Sequence, residues 1–183
     1  MLQLPERFGL NEWFTLAAAV LAMGVALALP KRFSPVEITA YTVFTVYLSQ
    51  TVDSLIAVAP FDFYDVNDTS KIEWFDMIIY YFCYPPTTYV FLYFYDKWQV
   101  RGWKRVGYVI GYSLLSMLLE GVADLFGVFT YKGWKLYYSF FVYVGVYIVY
   151  ILVYKMVRSL LSNKDNGKLK GIGSERRRSR ERR

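Results

Sequence analysis

The chain has 183 residues, of which 56% are hydrophobic and 20% aromatic, and its formal net charge is +6. This composition, together with a positive mean hydropathy, excludes an ordinary soluble domain and indicates an integral membrane protein. One cysteine and no histidine exclude a disulfide framework and a Cys/His zinc site within one chain.

Five apolar runs are each long enough to cross the roughly 30 Å hydrocarbon core of a bilayer, which needs about 20 helical residues. The runs lack the alternating polarity of a β-barrel, so we expect helices, whose backbone groups are paired internally. The predicted spans are residues 13–29, 36–58, 74–95, 107–129 and 134–157. The predicted fold is an all-α bundle of five transmembrane helices within residues 1–160.

The first run ends in small residues, as a signal peptide does, but the segment before it lacks the positive charge of a signal peptide. Lys31 and Arg32 follow the run instead. We therefore expect residues 13–29 to remain as a span.

The distribution of basic residues predicts the orientation of the bundle. Lys and Arg accumulate in cytoplasmic loops, and 17 of the 21 basic residues fall on one side of the five predicted spans. That side includes the connections after the first and third spans and the C-terminal segment. The N-terminus is therefore predicted to lie outside and the C-terminus in the cytoplasm.

Residues 161–183 are polar and strongly basic, so they are predicted to form a disordered cytoplasmic tail. Each basic residue near an anionic leaflet contributes about 1 kcal/mol of attraction. We expect anionic lipid headgroups as its partner. Because no aromatic residue is interleaved for base stacking, we do not expect nucleic acid.

Five acidic residues lie within the predicted spans. Glu37, at the inner start of the second span, is interpreted as an acid at a helix N-terminus. Asp53, Asp76 and Asp124 lie in the outer thirds of their spans, and Glu120 lies one turn deeper than Asp124. Glu120 and Asp124 are four residues apart, on one helix face, which Ser113 and Ser116 extend inward. A second polar stripe runs from Thr39 to Asp53 on the second span. Such faces turn toward the bundle interior, so the sequence predicts an acidic site between spans two, three and four that opens to the exterior.

Two interpretations of these acids remain open. In the first, they are hydrogen-bonded or protonated groups that hold helices together. In the second, Glu120, Asp124, Asp53 and Asp76 bind an ion or a proton, because ionisable residues inside a membrane are functional candidates. The predicted external loop between spans two and three would add negative charge on the same side through four further acids: Asp62, Asp65, Asp68 and Glu73.

Pro85 and Pro86 lie near the middle of the third span. Proline removes a backbone donor and clashes with the preceding turn, so a helix kink is predicted there. Either the freed carbonyls contribute to an ion path, or Thr87 and Thr88 bond them in a kink that serves packing alone.

The segment from Glu120 through "GVFTYKGWKLYYS" places Gly127, Tyr131, Trp134, Tyr138 and Ser139 in an order that resembles a family of small uncharacterised membrane proteins from endospore-forming bacteria. The resemblance covers mainly the last two spans. It implies a multi-pass protein of a bacterial plasma membrane with five helices, and it implies no activity.

Two functional hypotheses follow. The protein is either a cation- or proton-binding transporter or channel subunit, or a non-catalytic accessory or sensor subunit. A single copy is too small for a paired inverted-repeat transporter, so a homo-oligomer or a larger membrane partner is expected in the first case. No nucleophile motif or metal set supports an enzyme, and neither a catalytic residue nor a cofactor is predicted.

Overall fold

The computed structural model of the chain describes residues 8–57, 61–67 and 73–181, with residues 164–181 described by their backbone alone. The fold is helical, as the sequence predicts. The helices are α1 (Leu10–Ala28), α2 (Pro35–Ile56), α3 (Trp74–Ile78), α4 (Tyr84–Lys97), α5 (Trp103–Leu125) and α6 (Leu136–Glu181). Two short strands, β1 (Tyr64–Val66) and β2 (Phe129–Tyr131), pair antiparallel to form a ribbon.

A π-helical turn, Ile79–Cys83, joins α3 to α4, so residues 74–97 form one rod. Pro85 and Pro86 occupy the first turn of α4 and cannot donate to the carbonyls of the preceding turn. The N–H of Tyr84 instead bonds the Ile79 carbonyl five residues back, and the Thr87 hydroxyl donates to the carbonyls of Cys83 and Tyr84 at 2.9 and 2.8 Å. The backbone hydrogen-bond pattern therefore changes from α-helical to π-helical just before the prolines. A role for the freed carbonyls in an ion path stays a prediction.

Side-chain contacts define two ends of the bundle. At the ribbon end, Phe8 contacts Phe75 at the start of α3, and the last turns of α2 and α5 meet the β1–β2 ribbon. At the opposite end, which we call the arginine end, Arg32 bonds Asp96 of α4, and Arg158 of α6 bonds Glu37 of α2. The successive rods therefore alternate in direction.

The ribbon follows a sharp end of α5 at Gly127. This glycine has φ +77°, a left-handed conformation that other residues adopt at a cost of about 1–2 kcal/mol. The N–H groups of Gly127 and Val128 bond the carbonyls of Asp124 and Ala123, which is the Schellman pattern of a helix C-terminus. The buried Val128 side chain packs with Ala123, so the turn sets the direction of β2.

Aromatic rings dominate the core toward the arginine end. Phe91 of α4 is fully buried, and its ring lies 5.1, 5.0 and 4.4 Å from those of Tyr108, Tyr112 and Tyr147. Offset and edge-on ring pairs of this kind add roughly 0.5–1.5 kcal/mol each beyond their buried area. The core thereby ties α4, α5 and α6 together.

Among the described residues, three helices are long and apolar enough to cross a membrane: Leu10–Ala28, Trp103–Leu125 and Leu136–Asn163. Apolar side chains stay exposed on their surfaces, including Leu118 (61%) and Phe141 (69%), as expected where the surroundings are lipid. The second and third predicted spans also form helical rods. However, α2 carries two acids and many hydroxyl groups, and the third rod is divided at its π-helical turn.

The last helix continues beyond the predicted fifth span. Its backbone is helical to Glu181 and so includes most of the segment for which the sequence predicts a disordered tail. The disorder of that tail stays a prediction, and its last residues, 182 and 183, lie outside the described part of the chain.

Candidate site: a hydroxyl and carboxylate ladder along α6

Glu120 lies in the last turns of α5, where three hydroxyl groups donate to its carboxylate. Tyr131 of β2 bonds Oε1 at 2.7 Å, Ser139 of α6 bonds Oε1 at 2.6 Å and Tyr143 of α6 bonds Oε2 at 2.7 Å. Hydrogen bonds to a charged acceptor are each worth about 1.5–3 kcal/mol. The desolvation cost of burying this carboxylate is thus offset by hydrogen-bond donors from β2 and α6.

Asp53 lies in the last turn of α2 and faces the same ribbon. The Tyr64 hydroxyl of β1 donates to its Oδ1 at 2.6 Å, and the Tyr80 hydroxyl also interacts with this carboxylate. Tyr64 and Tyr131 are directly paired across the two strands, so their side chains lie on one face of the ribbon. One cross-strand tyrosine pair therefore bonds the acids of two different helices.

The two acids interact with each other and with one residue of α6. The carboxylates of Asp53 and Glu120 influence each other electrostatically, and Tyr143 interacts with both. In the described chain α5 packs chiefly on α6, and α2 packs on α4 and α6. The sequence predicted an acidic site bounded by spans two, three and four, whereas the observed site also takes two donors from the fifth span.

Asp76 and Asp124 occupy different surroundings. Asp76 is buried and accepts a hydrogen bond from Asn67 Nδ2 at 2.5 Å and another from the Glu73 N–H at 2.8 Å. This capping box begins α3, so Asp76 has a local structural role. Asp124 is partly buried one turn from Glu120, and no side chain among the described residues is hydrogen-bonded to it.

The structure shows the predicted polar stripe on α5 but only part of the predicted stripe on α2. Ser113, Ser116, Glu120 and Asp124 all lie on the buried or partly buried face of α5. On α2 the exposed Thr39 lies outside the interior face, which instead includes Tyr41 and Thr45. The stripe predicted for α2 is therefore wrong at its inner end.

A line of hydroxyl groups runs along α6 from Glu120 toward the arginine end. Its members are three or four residues apart and so share one helix face: Ser139, Tyr143, Tyr147, Tyr150 and Tyr154. We call this set the hydroxyl ladder. Ser139 and Tyr154 are separated by about 22 Å along the helix axis, from a rise of about 1.5 Å per residue, which is most of the hydrocarbon thickness.

Each member of the hydroxyl ladder meets a polar group of another helix. The Tyr147 and Ser116 hydroxyls are 2.5 Å apart, and the Tyr150 hydroxyl interacts with Thr88 and Thr45. Thr45 is fully buried and makes no hydrogen bond of good geometry with the described residues. Ser113 is also fully buried and likewise has no hydrogen-bond partner among the described residues. Internal waters commonly bind buried polar groups of this kind.

The ladder ends at Asp96, whose carboxylate accepts hydrogen bonds from Tyr154 and Arg32. Arg158 Nη1 lies 3.2 Å from the same carboxylate, and Arg158 Nε donates to Glu37 at 2.8 Å. Asp96 and Glu37 are only 4% and 6% exposed. Two buried acids are thus neutralised by two arginines, and the four residues join the α1–α2 connection to α2, α4 and α6.

Glu37 also caps its own helix. Its carboxylate accepts from the Ser34 N–H at 2.8 Å, and the Ser34 hydroxyl accepts from the Glu37 N–H at 3.3 Å. This capping box agrees with the interpretation of Glu37 as an acid at a helix N-terminus.

Two acids of the loop between α2 and α3 are paired rather than free. Lys132, which follows β2, lies 2.9 Å from both Asp62 and Asp65. These hydrogen bonds raise the pKa of the Lys132 ammonium above its usual value. The loop therefore adds less negative charge than its composition suggests, and Asp68 lies outside the described residues.

The sequence did not identify the hydroxyl donors or Asp96. The signal for the donors is the spacing of Ser139, Tyr143, Tyr147, Tyr150 and Tyr154 on one face of the last span, which is recognisable only if tyrosines are counted as polar. Asp96 lies one residue beyond the predicted third span, and the charge pattern that places Arg158 on the basic side indicates no partner for it.

No cluster of three or more acidic or cysteine side chains suited to a metal ion occurs among the described residues. Comparison of the chain with protein-family models, with curated proteins and with solved structures finds no match. The resemblance to membrane proteins of endospore-forming bacteria therefore stays a prediction.

Proposed function

We propose that the protein is a proton-conducting or proton-coupled membrane protein in which Glu120 and Asp53 take up protons at the ribbon end and the hydroxyl ladder leads to Asp96. The observation that carries this proposal is the line of interhelical hydroxyl contacts on α6 between Glu120 and Asp96. A hydroxyl group both donates and accepts a hydrogen bond, which is what a proton relay requires.

A proton fits the site better than a metal ion. The oxygens of Glu120 face three O–H groups, which present hydrogen atoms to an acceptor rather than lone pairs to a cation. Sodium, calcium and magnesium require several converging oxygen ligands. Neighbouring members of the ladder are about one helical turn, roughly 5 Å, apart along the axis, so a proton would cross each interval through a bridging water.

The proposal includes the topology predicted from the sequence. All five rods cross the membrane, the ribbon end faces the exterior, and the arginine end faces the cytoplasm of a bacterial cell. This orientation follows the excess of Lys and Arg on one side. The ladder would then connect the external solution to a paired carboxylate at the cytoplasmic surface.

A flux measurement tests the proposal. The full chain is reconstituted into liposomes that contain a pH-sensitive dye, and a potassium diffusion potential drives proton entry. We expect a proton flux that Tyr147→Phe strongly reduces, because this change removes one hydroxyl from the middle of the ladder. Glu120→Gln should reduce it as well, since it removes the acid at the entrance.

Two variants serve as matched controls. Asp124→Asn removes the same charge one turn from Glu120 and should leave most of the flux, because Asp124 has no hydrogen-bonded side chain among the described residues. Tyr137→Phe removes an exposed tyrosine hydroxyl from α6 and should also be neutral. Absence of flux from folded protein, or equal flux in Tyr147→Phe and the wild type, would rule out conduction along the ladder.

The cross-strand pair Tyr64 and Tyr131 favours a second candidate, a sensor of external pH that acts as an accessory subunit. Their hydroxyls bond Asp53 and Glu120, so protonation of either acid would weaken the attachment of the ribbon to the bundle. Release of the ribbon at low pH, measured by hydrogen exchange of residues 64–66 and 129–131, would support this candidate if no flux occurs. Unchanged exchange would exclude it.

A further inference from the structure

A basic pocket opens at the arginine end, where the ladder ends: Tyr154 and Asp96 both line it. Its volume is about 210 Å³, compared with roughly 30 Å³ for one water molecule in the liquid. Three of its lining residues are cationic: Arg101 in the α4–α5 connection, Arg105 in the first turn of α5 and Lys155 of α6. Three elements of the fold therefore bring positive charge to one cavity.

The positive charge of this pocket is not compensated within the described chain. Its one acidic lining residue is Asp96, which is already paired with Arg32 and Arg158. No salt bridge within the described residues involves Arg101, Arg105 or Lys155. The pocket thus holds three cations and an acid whose charge is neutralised by other residues.

Arg105 gives the most specific indication of a ligand. Its Nε is shielded from solvent and has no hydrogen-bond partner among the described residues. A buried donor on a charged group is costly to leave unpaired. A guanidinium group presents donors in a planar fork that suits the oxygens of a phosphate. A ligand with such oxygens would satisfy this Nε.

The backbone and the flanking aromatic residues suit the same ligand. α5 begins at Trp103, after Gly102, and no side chain of the described residues caps its first turn, so free N–H groups and the positive end of the helix dipole lie close to Arg105. Trp98 and Trp103 are 59% and 89% exposed nearby. Exposed tryptophans are typical of the level of lipid headgroups.

We propose that the pocket lined by Arg101, Arg105 and Lys155 binds a phosphate group, supplied by the headgroup of an anionic phospholipid or by free phosphate. This site is distinct from the basic tail, whose attraction to a leaflet needs no defined geometry. Here two guanidinium groups and an ammonium converge on one cavity between helices. The cavity also includes Tyr154 and Asp96 at the end of the ladder, but phosphate binding there does not require proton movement along the ladder.

The test uses the full chain in neutral detergent, with thermal unfolding as the measurement. Short-chain phosphatidylglycerol, short-chain phosphatidylcholine and inorganic phosphate are added separately. We expect phosphatidylglycerol to raise Tm and phosphatidylcholine to leave it unchanged. A rise with inorganic phosphate at similar concentrations would identify a site for free phosphate, and a rise with phosphatidylglycerol alone would identify a lipid site.

Charge-matched variants locate the site. In the double variant Arg101→Gln with Arg105→Gln, the ligand concentration needed to raise Tm should increase by at least about tenfold, since each lost hydrogen bond involves charged partners. Lys168→Gln with Lys170→Gln removes the same charge from the tail and should retain the response. If the arginine variant does not fold, as judged by circular dichroism, the exposed Lys155→Gln replaces it. Equal responses in pocket and tail variants, or no response in the wild type, would overturn the proposal.

Discussion

Replacement of Asp96 by asparagine should destabilise the bundle, because this one carboxylate holds together the arginine end. Asp96 is 4% exposed and accepts from Arg32 of the α1–α2 connection and from Tyr154 of α6, with Arg158 at 3.2 Å. Asparagine keeps the shape and one carbonyl oxygen but removes the negative charge. Arg158 would then keep Glu37 as its partner, whereas Arg32 would lose its ion pair.

The expected magnitude follows from burial. Removing one partner of a fully buried ion pair costs about 3–5 kcal/mol. Arg32 and Arg158 keep 34% and 40% of their side-chain surface exposed, so water compensates part of the loss, and exposed pairs contribute at most about 1 kcal/mol. We expect a loss of about 2 kcal/mol, which for a chain of this size lowers Tm by roughly 4–8 °C.

The assay is thermal unfolding of the purified chain in detergent, followed by tryptophan fluorescence. Asp62→Asn is the matched control, because Asp62 is paired with Lys132 but both side chains are exposed. We expect that control to change the free energy of unfolding by less than about 0.5 kcal/mol. Similar Tm values for Asp96→Asn and the control would refute the claim that this ion-pair network stabilises the bundle.

Three further predictions concern the ribbon end and the topology. Gly127→Val should lower the free energy of unfolding by about 1–2 kcal/mol, because valine disfavours the left-handed conformation; a neutral result in denaturant unfolding would contradict the Schellman turn. Tyr131→Phe should cost about 1 kcal/mol by the same measurement, since Glu120 keeps two other donors; an unchanged free energy of unfolding would contradict a stabilising role for the Tyr131 hydroxyl. In a Cys83→Ser background, an impermeant thiol reagent should label Asp62→Cys on intact cells and Lys168→Cys only after lysis; the reverse pattern would invert the orientation.

The sequence was sufficient to predict the helical rods and the face on which several polar residues lie. Long apolar runs require internally bonded helices in lipid, and all five predicted runs correspond to helical rods. The spacing of Ser113, Ser116, Glu120 and Asp124 predicted one buried face of α5 because helical periodicity is local. The two prolines marked the position where the third rod changes its hydrogen-bond pattern for the same local reason.

The partners of those polar residues could not be predicted from local patterns. Nothing near Glu120 in the sequence shows that Tyr143 of α6 donates to it, or that Tyr64 and Tyr131 form one cross-strand pair. The bond between Arg32 and Asp96 joins residues 64 positions apart. Such pairs depend on which helices become neighbours and on their rotation, and a change of one residue in helical phase redirects a side chain by about 100°.

The amino-acid sequence by itself therefore indicated a helical protein with segments apolar enough to cross a membrane and with most of its basic residues on one side. Only the tertiary structure decided that hydroxyl groups of the last helix contact polar groups of the neighbouring helices between the ribbon end and the arginine end and that three cations line one cavity beside Asp96. The physical reason is that hydropathy and helical period act within a segment, whereas hydrogen bonds and ion pairs in the interior depend on how distant segments pack.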